Sequence, residues 1–375
     1  MIIKNATVFT DTCKFAEKDI YIEGSRIAEQ TSDPTVLDAE GCYLVPGLID
    51  IHFHGCRGYD FCDATLKSLT AIAEYELSCG ITSICPATMT LPEETLAAVC
   101  RNAALYSDRW QPKTGARLCG IHLEGPFISA AKKGAQNPDY ILSPDAAVLK
   151  HLIDEAEGLI KLITIAPEAE HAIDFILEFA PRIRISLGHT NCSYHTAKEA
   201  FLAGAKHVTH LYNAMPPFSH RSPGLIGAAF DMADVTPEII CDGIHIDPSA
   251  VRAAFALFGD RRILLISDSI MAAGMPDGSY SLGGLSVHME NKRATLADGT
   301  IAGSAATLMD CMKTAVLQMG IPLESAIRCA TINPARAIGE DREYGSITTG
   351  KYADLLLLER NTLNLKKVIT HGIVL

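Results

Sequence analysis

The sequence predicts an α/β protein, a (β/α)8 barrel of the TIM type with a small β-sandwich domain formed from both chain termini. Three observations support this prediction. Eight buried, strand-like apolar runs alternate with amphipathic helical segments through the middle of the chain. Short β-type runs with turn residues occupy both ends. Metal-binding residue types follow several central strands, at the edge where such barrels carry their chemistry.

Both ends of the chain predict short strands. Residues 7–9 and 20–22 are β-type runs, and the second is followed by the turn Glu23-Gly24. Near the carboxyl terminus, residues 353–358 and 368–375 predict a strand and a closing hairpin. Since short strands cannot bury a face alone, we expect residues 1–45 and 340–375 to pair into one β-domain, with residues 46–339 forming the barrel.

The central segment alternates between two hydrophobic periods. The predicted strands are Leu48 to Phe53, Ile81 to Cys85, Leu118 to Leu123, Ile160 to Ile165, Ile183 to Leu187, His207 to Leu211, Glu238 to Cys241 and Ile263 to Ile266. The predicted helices are Leu66 to Leu77, Glu93 to Leu105, Ala146 to Ala156, Ala169 to Phe179, Tyr194 to Ala203 and Pro248 to Leu257. Such alternation is typical of parallel strands with helical crossovers, and eight of them favour a closed barrel.

Composition narrows the class of protein. The chain has 375 residues, of which 48% are hydrophobic, enough for a large core. Its 32 basic and 44 acidic residues give a net charge of −12, which argues against a nucleic-acid or anionic-membrane partner. The 12 cysteines are scattered and no signal-peptide layout precedes them, so we expect reduced thiols in a cytoplasmic protein. No apolar run approaches the roughly 20 residues of a membrane span.

Three strand ends suggest a metal site. Glu124, His189 and His210 each end or follow a predicted buried strand. A single histidine in that position is more often a hydrogen-bonded structural residue, and a single glutamate before Gly-Pro could cap a turn. Three such residues at one barrel edge favour a zinc or iron centre, since three ligands leave a coordination position open.

His52 and His54 form a His-x-His pair on the first predicted strand. Residues two apart on a strand face the same side, so both imidazoles could hold one ion. With Asp50 and the preceding Pro46-Gly47, the pair predicts a second divalent metal ion. A purely structural pair is the alternative.

Longer strings resemble a known family. Residues 46–55, Pro-Gly-Leu-Ile-Asp-Ile-His-Phe-His-Gly, resemble the first-strand motif of the amidohydrolase superfamily. The strings His-Leu-Glu-Gly-Pro-Phe, Gly-His-Thr, Thr-His-Leu-Tyr-Asn-Ala-Met, Asp-Gly-Ile-His and Ser-Asp-Ser resemble its N-acetylglucosamine-6-phosphate deacetylase family. The resemblance extends over essentially the whole chain.

This resemblance implies an activity. Glu124, His189 and His210 would hold the catalytic divalent ion, and Asp268 would be the general base that deprotonates the attacking water. The protonated Asp268 would then pass its proton to the departing amine. The products would be acetate and glucosamine 6-phosphate, in amino-sugar catabolism.

The resemblance also implies substrate contacts. They are Ala135, Gln136, Asn213, Ala214, Arg221, His245, Ile301, Ala302 and Gly303. Arginine suits a phosphate because its planar fork donates paired hydrogen bonds. In the family this arginine reaches across from a partner subunit, so a homodimer with Arg221 shared across the interface is implied.

One position departs from some members of the family. They carry a histidine where this chain has Gln136, and that histidine is thought to polarise the acetyl carbonyl. The same relatives lack the His-x-His pair. We hypothesise that a second ion at His52 and His54 replaces this polarisation, with Glu124 bridging both ions.

Three alternatives remain. A deacetylase for N-acetylgalactosamine 6-phosphate has the same catalytic requirements, because the two sugars differ in one hydroxyl orientation. A cyclic-amide hydrolase of the dihydroorotase type normally uses a carboxylated lysine, where this chain offers Glu124. A catalytically silent sugar-phosphate-binding barrel would not need the general base Asp268.

Overall fold

A computed structural model describes residues 1–375. It contains a parallel barrel, a sandwich of two β-sheets and a further four-stranded sheet, and the predicted fold class is confirmed. No helix combines the length and the apolar character needed to cross a bilayer.

The elements follow one another in chain order. The first strands are β1 (Ile2–Lys4), β2 (Thr7–Phe9), β3 (Phe15–Glu17), β4 (Ile20–Glu23), β5 (Arg26–Ala28), β6 (Val36–Asp38) and β7 (Cys42–Pro46). The barrel segment holds β8 (Leu48–Asp50), β9 (Gly55–Cys56), β10 (Tyr59–Asp60), α1 (Leu66–Ser78), β11 (Ile81–Ile84), α2 (Glu93–Arg109), β12 (Arg117–Leu118), β13 (Ile121–Glu124), α3 (Ala146–Glu155), β14 (Ile160–Ile165), α4 (Ala172–Phe179), β15 (Arg184–Leu187), α5 (Tyr194–Ala203), β16 (His207–Val208), α6 (Gly224–Asp231), β17 (Thr236–Ile240), α7 (Pro248–Phe258) and β18 (Leu264–Ile266). The remainder comprises β19 (Gly278–Leu282), β20 (Leu285–Glu290), β21 (Arg293–Thr295), β22 (Ile301–Ser304), α8 (Leu308–Leu317), α9 (Leu323–Ala330), α10 (Ile332–Ala337), β23 (Leu355–Glu359), β24 (Leu365–Thr370) and β25 (Ile373–Val374).

The barrel strands pair in parallel. The sheet β12-β11-β8 continues through residues 117–124 into the sheet β13-β14-β15-β16-β17-β18. Between the last and first strands, the amide of Asp268 donates to the carbonyl of His52 at 2.9 Å. The hydroxyl of Ser267 donates to the Asp50 carboxylate at 2.5 Å across the same seam. The carboxyl ends of β8 and β18 are therefore adjacent.

Both termini contribute to the sandwich. One sheet has the order β5-β4-β1-β6, and the other has the order β25-β24-β23-β7-β2-β3. A buried cluster that includes Ile3, Ile22, Leu44, Leu355 and Ile369 fills the space between the two sheets. The proposed division at residues 45 and 340 stays a prediction, and strand β7 crosses its first boundary.

Local sequence explains where several crossover helices begin. The side chains of Thr65, Asp145, Ser193 and Asp247 accept backbone N–H groups at the starts of α1, α3, α5 and α7. These caps stabilise the helices close to the carboxyl ends of the strands that precede them.

The observed elements differ from the predicted ones in extent and number. Strand β8 ends at Asp50, so His52 and His54 lie in the segment beyond it and the prediction of a strand to Phe53 was wrong. Strand β16 ends at Val208, three residues before the predicted Leu211. The sheet β19 to β22 and the helices α6, α8, α9 and α10 were not predicted.

Candidate metal centre and active site

The candidate site lies at the carboxyl ends of the barrel strands. Glu124 is the last residue of β13, and His52, His189, His210 and Asp268 each lie two residues beyond the strand that precedes them. His54, Glu124, His189, His210 and Asp268 line a cavity of about 500 Å³. Five residues from separate parts of the sequence therefore face one space large enough for a small metabolite.

Three of these residues have an unusual backbone. The φ angles of His189, His210 and Asp268 are 46°, 27° and 50°, in the left-handed region that side-chain-bearing residues seldom adopt. Each such residue costs on the order of 1–3 kcal/mol, and conformations of this kind cluster at functional sites. Their shared strain turns the three side chains out of the strands and into the cavity.

Glu124, His189 and His210 form the tightest group. Glu124 Oε1 lies 3.1 Å from His189 Nε2 and 3.1 Å from His210 Nε2. The two Nε2 atoms are 3.0 Å apart. All three side chains are buried, and their ligand atoms could meet around one divalent ion.

His52 and His54 face the same carboxylate. His52 Nε2 lies 3.2 Å from Glu124 Oε1, and His54 Nε2 lies 3.4 Å from Glu124 Oε2. The three residues form a second group with metal-ligand spacing. Glu124 is common to both groups, one oxygen facing His189 and His210 and the other facing His54.

Hydrogen bonds fix which imidazole nitrogens carry hydrogens. His189 Nδ1 lies 3.0 Å from the Lys132 carbonyl, and His54 Nδ1 lies 3.2 Å from the Ala87 carbonyl. A carbonyl oxygen can only accept, so both Nδ1 atoms donate and both Nε2 atoms present lone pairs to Glu124. Lone pairs converging on a carboxylate need a cation between them. The donor set thus fits a divalent metal ion, and imidazole with carboxylate suits zinc or iron.

The ring of His122 lies beside that of His52, and both of its nitrogens have hydrogen-bonding contacts. Its Nδ1 contacts the Ile51 carbonyl at 3.3 Å and its Nε2 contacts the Thr164 hydroxyl at 2.8 Å. Burial, together with neighbouring His52, lowers the pKa of His122 to about 3. Its ring is therefore neutral, with both nitrogens already engaged.

Gln136 holds the metal-facing carboxylate. Its Nε2 donates to Glu124 Oε2 at 2.6 Å, and its Oε1 accepts the amide of Thr90 at 2.7 Å. Gln136 is buried, and both ends of its side-chain amide are engaged. Its contact with Glu124 was not predicted.

Asp268 is a further carboxylate beside the histidine pair. Its Oδ1 lies 3.3 Å from His54 Nε2 and 3.7 Å from His52 Nε2. Burial opposes ionisation of Asp268, but its neighbours His54 and His52 hold its pKa below the ordinary value. An ionised carboxylate at this position can accept a proton.

Gly303 allows the chain to approach Asp268 closely. Its φ is 64°, and a Cβ at this position would lie 2.9 Å from the Asp268 carbonyl oxygen. The amide of Ser304 donates to that carbonyl at 2.7 Å. Strand β22 thereby fixes Asp268 from one side.

The predicted substrate residues divide into two sets. Those at the cavity wall are Ala135, Gln136, Asn213, Ala214, His245, Ile301 and Gly303. The structure does not bring the other two there, since Ala302 is buried in a neighbouring apolar cluster and Arg221 is exposed on the loop after Ala214. His245 is oriented by Asp242, whose Oδ2 lies 2.7 Å from His245 Nδ1.

Sequence reasoning missed three polar residues at this site. Lys132 and Thr300 line the cavity, and Glu238 lies directly behind His52. The signal for Lys132 was the basic pair that precedes Gly134 and Gln136. The signal for Glu238 was a carboxylate inside an apolar strand, which is costly to bury without partners.

The fold and the donor cluster define a metal-dependent hydrolase barrel. The comparisons with known proteins agree. The family profile described as "Amidohydrolase family" matches residues 43–374. The chain belongs to the amidohydrolase family.

Two relatives and one solved structure illustrate the similarity. The chain is 38% identical over 317 residues to the N-acetylglucosamine-6-phosphate deacetylase of Bacillus subtilis (strain 168), covering 84% of this chain and 80% of that one. It is 34% identical over 326 residues to the N-acetylgalactosamine-6-phosphate deacetylase of Escherichia coli O157:H7, covering 87% and 85%. A crystal structure of N-acetylglucosamine-6-phosphate deacetylase from Pasteurella multocida superposes with a TM-score of 0.93 at 31% identity, covering 100% and 99%.

Proposed function

We propose that this protein hydrolyses the N-acetyl group of N-acetylglucosamine 6-phosphate, giving glucosamine 6-phosphate and acetate in amino-sugar catabolism. The observation that carries the proposal is the convergence of Asp268 with a glutamate and four histidines at the strand ends. The names and identities of the relatives supply the substrate class. The 12 free cysteines are consistent with a cytoplasmic enzyme.

We propose that Glu124, His189 and His210 would hold the catalytic ion, and that His52 and His54 would hold a second ion that shares Glu124. A divalent ion, zinc or iron, supplies Lewis acidity that activates water and polarises the acetyl carbonyl. Gln136 keeps the bridging carboxylate in place through its 2.6 Å hydrogen bond to Oε2. Because its amide N–H is directed at Glu124, a second ion would be needed for the polarisation that we assigned to it.

Asp268 moves the protons of the reaction. It removes a proton from the attacking water as the new C–O bond forms at the acetyl carbon. The same carboxyl group then gives that proton to the amide nitrogen as the C–N bond breaks, so that amine and acetate leave. Its position between His52, His54 and the cavity allows one group to perform both steps.

The cavity walls suit a sugar phosphate. Asn213, Ala214 and the Ala135-Gln136 segment would contact the acetylated end, and His245 would donate to the sugar or its phosphate. Arg221 is exposed and makes no ion pair within its own chain. We therefore propose a homodimer in which Arg221 binds the phosphate in the partner subunit's site.

Acetate release from three substrates tests this function. We expect turnover of N-acetylglucosamine 6-phosphate by zinc- or iron-loaded protein, and little turnover of the unphosphorylated sugar. The galactosamine epimer is the second candidate, because one relative at 34% identity carries that name. Turnover of neither phosphorylated sugar by protein with a verified metal content would refute the proposal.

A separate measurement tests the second ion. Changing both His52 and His54 to Asn should halve the metal content and lower turnover. The two changes remove the histidines of the second site and leave Glu124, His189 and His210 in place. A fully active protein that holds one ion per subunit, before and after these changes, would refute the two-ion assignment. The deacetylase proposal would survive that result.

A further inference from the structure

A carboxylate lies beneath the metal centre, inside the barrel. Glu238 projects from strand β17 and is fully buried. Its Oε2 lies 2.8 Å from His52 Nδ1, and its Oε1 lies 3.0 Å from His207 Nε2. Glu238 thus accepts from two imidazole rings, and the proposed reaction does not use it.

The position of Arg184 determines which nitrogen of His207 carries the hydrogen. Arg184 Nε donates to His207 Nδ1 at 3.2 Å, and arginine has no acceptor atom. His207 Nδ1 therefore carries the lone pair, and its Nε2 hydrogen points to Glu238. Burial lowers the pKa of His207, so the ring stays neutral between the guanidinium and the carboxylate.

The same reasoning extends to His52. A carboxylate can only accept, so His52 Nδ1 donates to Glu238 and its Nε2 lone pair faces Glu124 Oε1 at 3.2 Å. His52 Nε2 is buried, with no hydrogen-bond partner. This is the geometry of a metal ligand. The buried Nε2 lone pair points towards Glu124, and a second carboxylate, Glu238, orients the ring from the other side.

Glu238 also supports a residue on the other side of the centre. Its Oε2 accepts the backbone amide of His210 at 3.1 Å, and its carbonyl accepts the amide of Leu211 at 2.9 Å. These bonds flank the left-handed conformation of His210, whose φ is 27°. One side chain thus contacts the ring of one proposed ligand and the backbone of another.

We propose that Glu238 is a positioning residue that fixes His52 as an Nε2 ligand and holds the strained turn at His210. This inference rests on the second ion of the proposed function. Outer carboxylates of this kind typically change metal affinity by about 10- to 100-fold when they are removed.

The test is the Glu238→Gln variant with zinc or cobalt(II). An amide has one acceptor oxygen in place of two, so it cannot accept from His52, His207 and His210 together. We expect about 10- to 100-fold weaker binding of the second ion in competition with a chromophoric chelator. The visible spectrum of the cobalt protein should change, and the rise in Tm on metal loading should shrink. Glu238→Asp keeps the charge and should recover part of the affinity.

Glu76→Gln is the matched control, because Glu76 is another buried glutamate and lies outside the metal centre. It should leave both ions in place. An equal fall in Tm for the metal-free and loaded Glu238→Gln proteins, with wild-type affinity for both ions, would show a purely structural role. Wild-type protein that binds no ion through His52 would also overturn the inference. The deacetylase function is tested separately, by the acetate-release assay.

Discussion

At the scale of single residues, the site depends on side chains that the backbone turns away from their strands. His189, His210 and Asp268 share a positive φ, which the fold tolerates because hydrogen bonds over-determine each position. The His210 amide is held by Glu238, and the Asp268 amide donates to His52 across the barrel seam. The strain is local and is compensated by the scaffold.

Asp268 gives the first prediction. Asp268→Asn keeps the shape of the side chain but cannot take a proton from water, so turnover should fall by about 100-fold or more. Metal content should stay close to the wild-type value, since Asp268 is outside both three-residue ligand groups. Acetate release and metal analysis on the same preparation test this. A loss below about tenfold would place the base elsewhere.

Sequence predicted the identity of residues better than their contacts. Glu124, His189 and His210 were selected from the ends of strands, and His52 and His54 were selected as a His-x-His pair on the first predicted strand. The structure brings all five together. The contact between Gln136 and Glu124 could not be predicted, because it depends on how the 130–136 segment folds back over the barrel. Glu238 was missed because its three partners lie on two other segments of the chain.

At the scale of elements, hydrophobic periodicity identified the barrel and misjudged the ends of its strands. Strands β8 and β16 are shorter than predicted, and His52 and His210 lie in the segments that follow them. Helix α10 was missed because it contains Pro334, which is tolerated there only because it lies in the first turn. The sheet β19 to β22 has few β-branched residues in its first strand, so propensity gave little signal.

Helix α1 supplies the second prediction, since its buried face carries Glu76. Burial, followed by the charge of Asp50, raises the pKa of Glu76 from 4.5 to about 8. The unfolded chain releases this proton near pH 4.5 and the native chain near pH 8, so folding takes up a proton between them. The contribution of Glu76 to stability therefore declines as pH rises through this window.

Glu76→Gln removes this titration. The Tm of the metal-free variant should exceed that of the wild type by a few degrees at pH 8, with a smaller difference at pH 5. Glu74→Gln, on the exposed face of the same helix, is the control and should change neither value. Equal gains for Glu76→Gln at both pH values would contradict the raised pKa.

At the scale of the whole molecule, an aromatic column joins the sandwich to the barrel. Tyr344 and Tyr352 stack with ring centroids 5.0 Å apart. Arg117 from β12 lies 3.9 Å from the Tyr344 centroid, and Arg26 from β5 lies 4.0 Å from the Tyr352 centroid. Arg117 begins its strand, so the column is at the end of the barrel opposite to the candidate site.

Tyr352→Ala would remove one stack and one cation–π contact. We expect a loss of about 1–3 kcal/mol in stability, seen as a lower Tm, with kcat unchanged below the transition. Tyr352→Phe keeps the ring and should retain most of the stability. A fall in kcat at low temperature would show that the sandwich also acts on the distant site.

The sharing of Arg221 between subunits is testable by mixing two inactive variants. Arg221→Ala lacks the phosphate ligand and Asp268→Asn lacks the base, so each homodimer should turn over poorly. In a mixed dimer, the site with its own Asp268 would receive Arg221 from the other subunit. Random exchange gives half mixed dimers with one intact site of two, so activity should recover to about a quarter of wild type.

If Arg221 served its own subunit, every site in the mixture would lack one group and no activity would return. Recovery after refolding the variants together, but not after folding them apart, therefore separates the shared arrangement from a site complete within one chain.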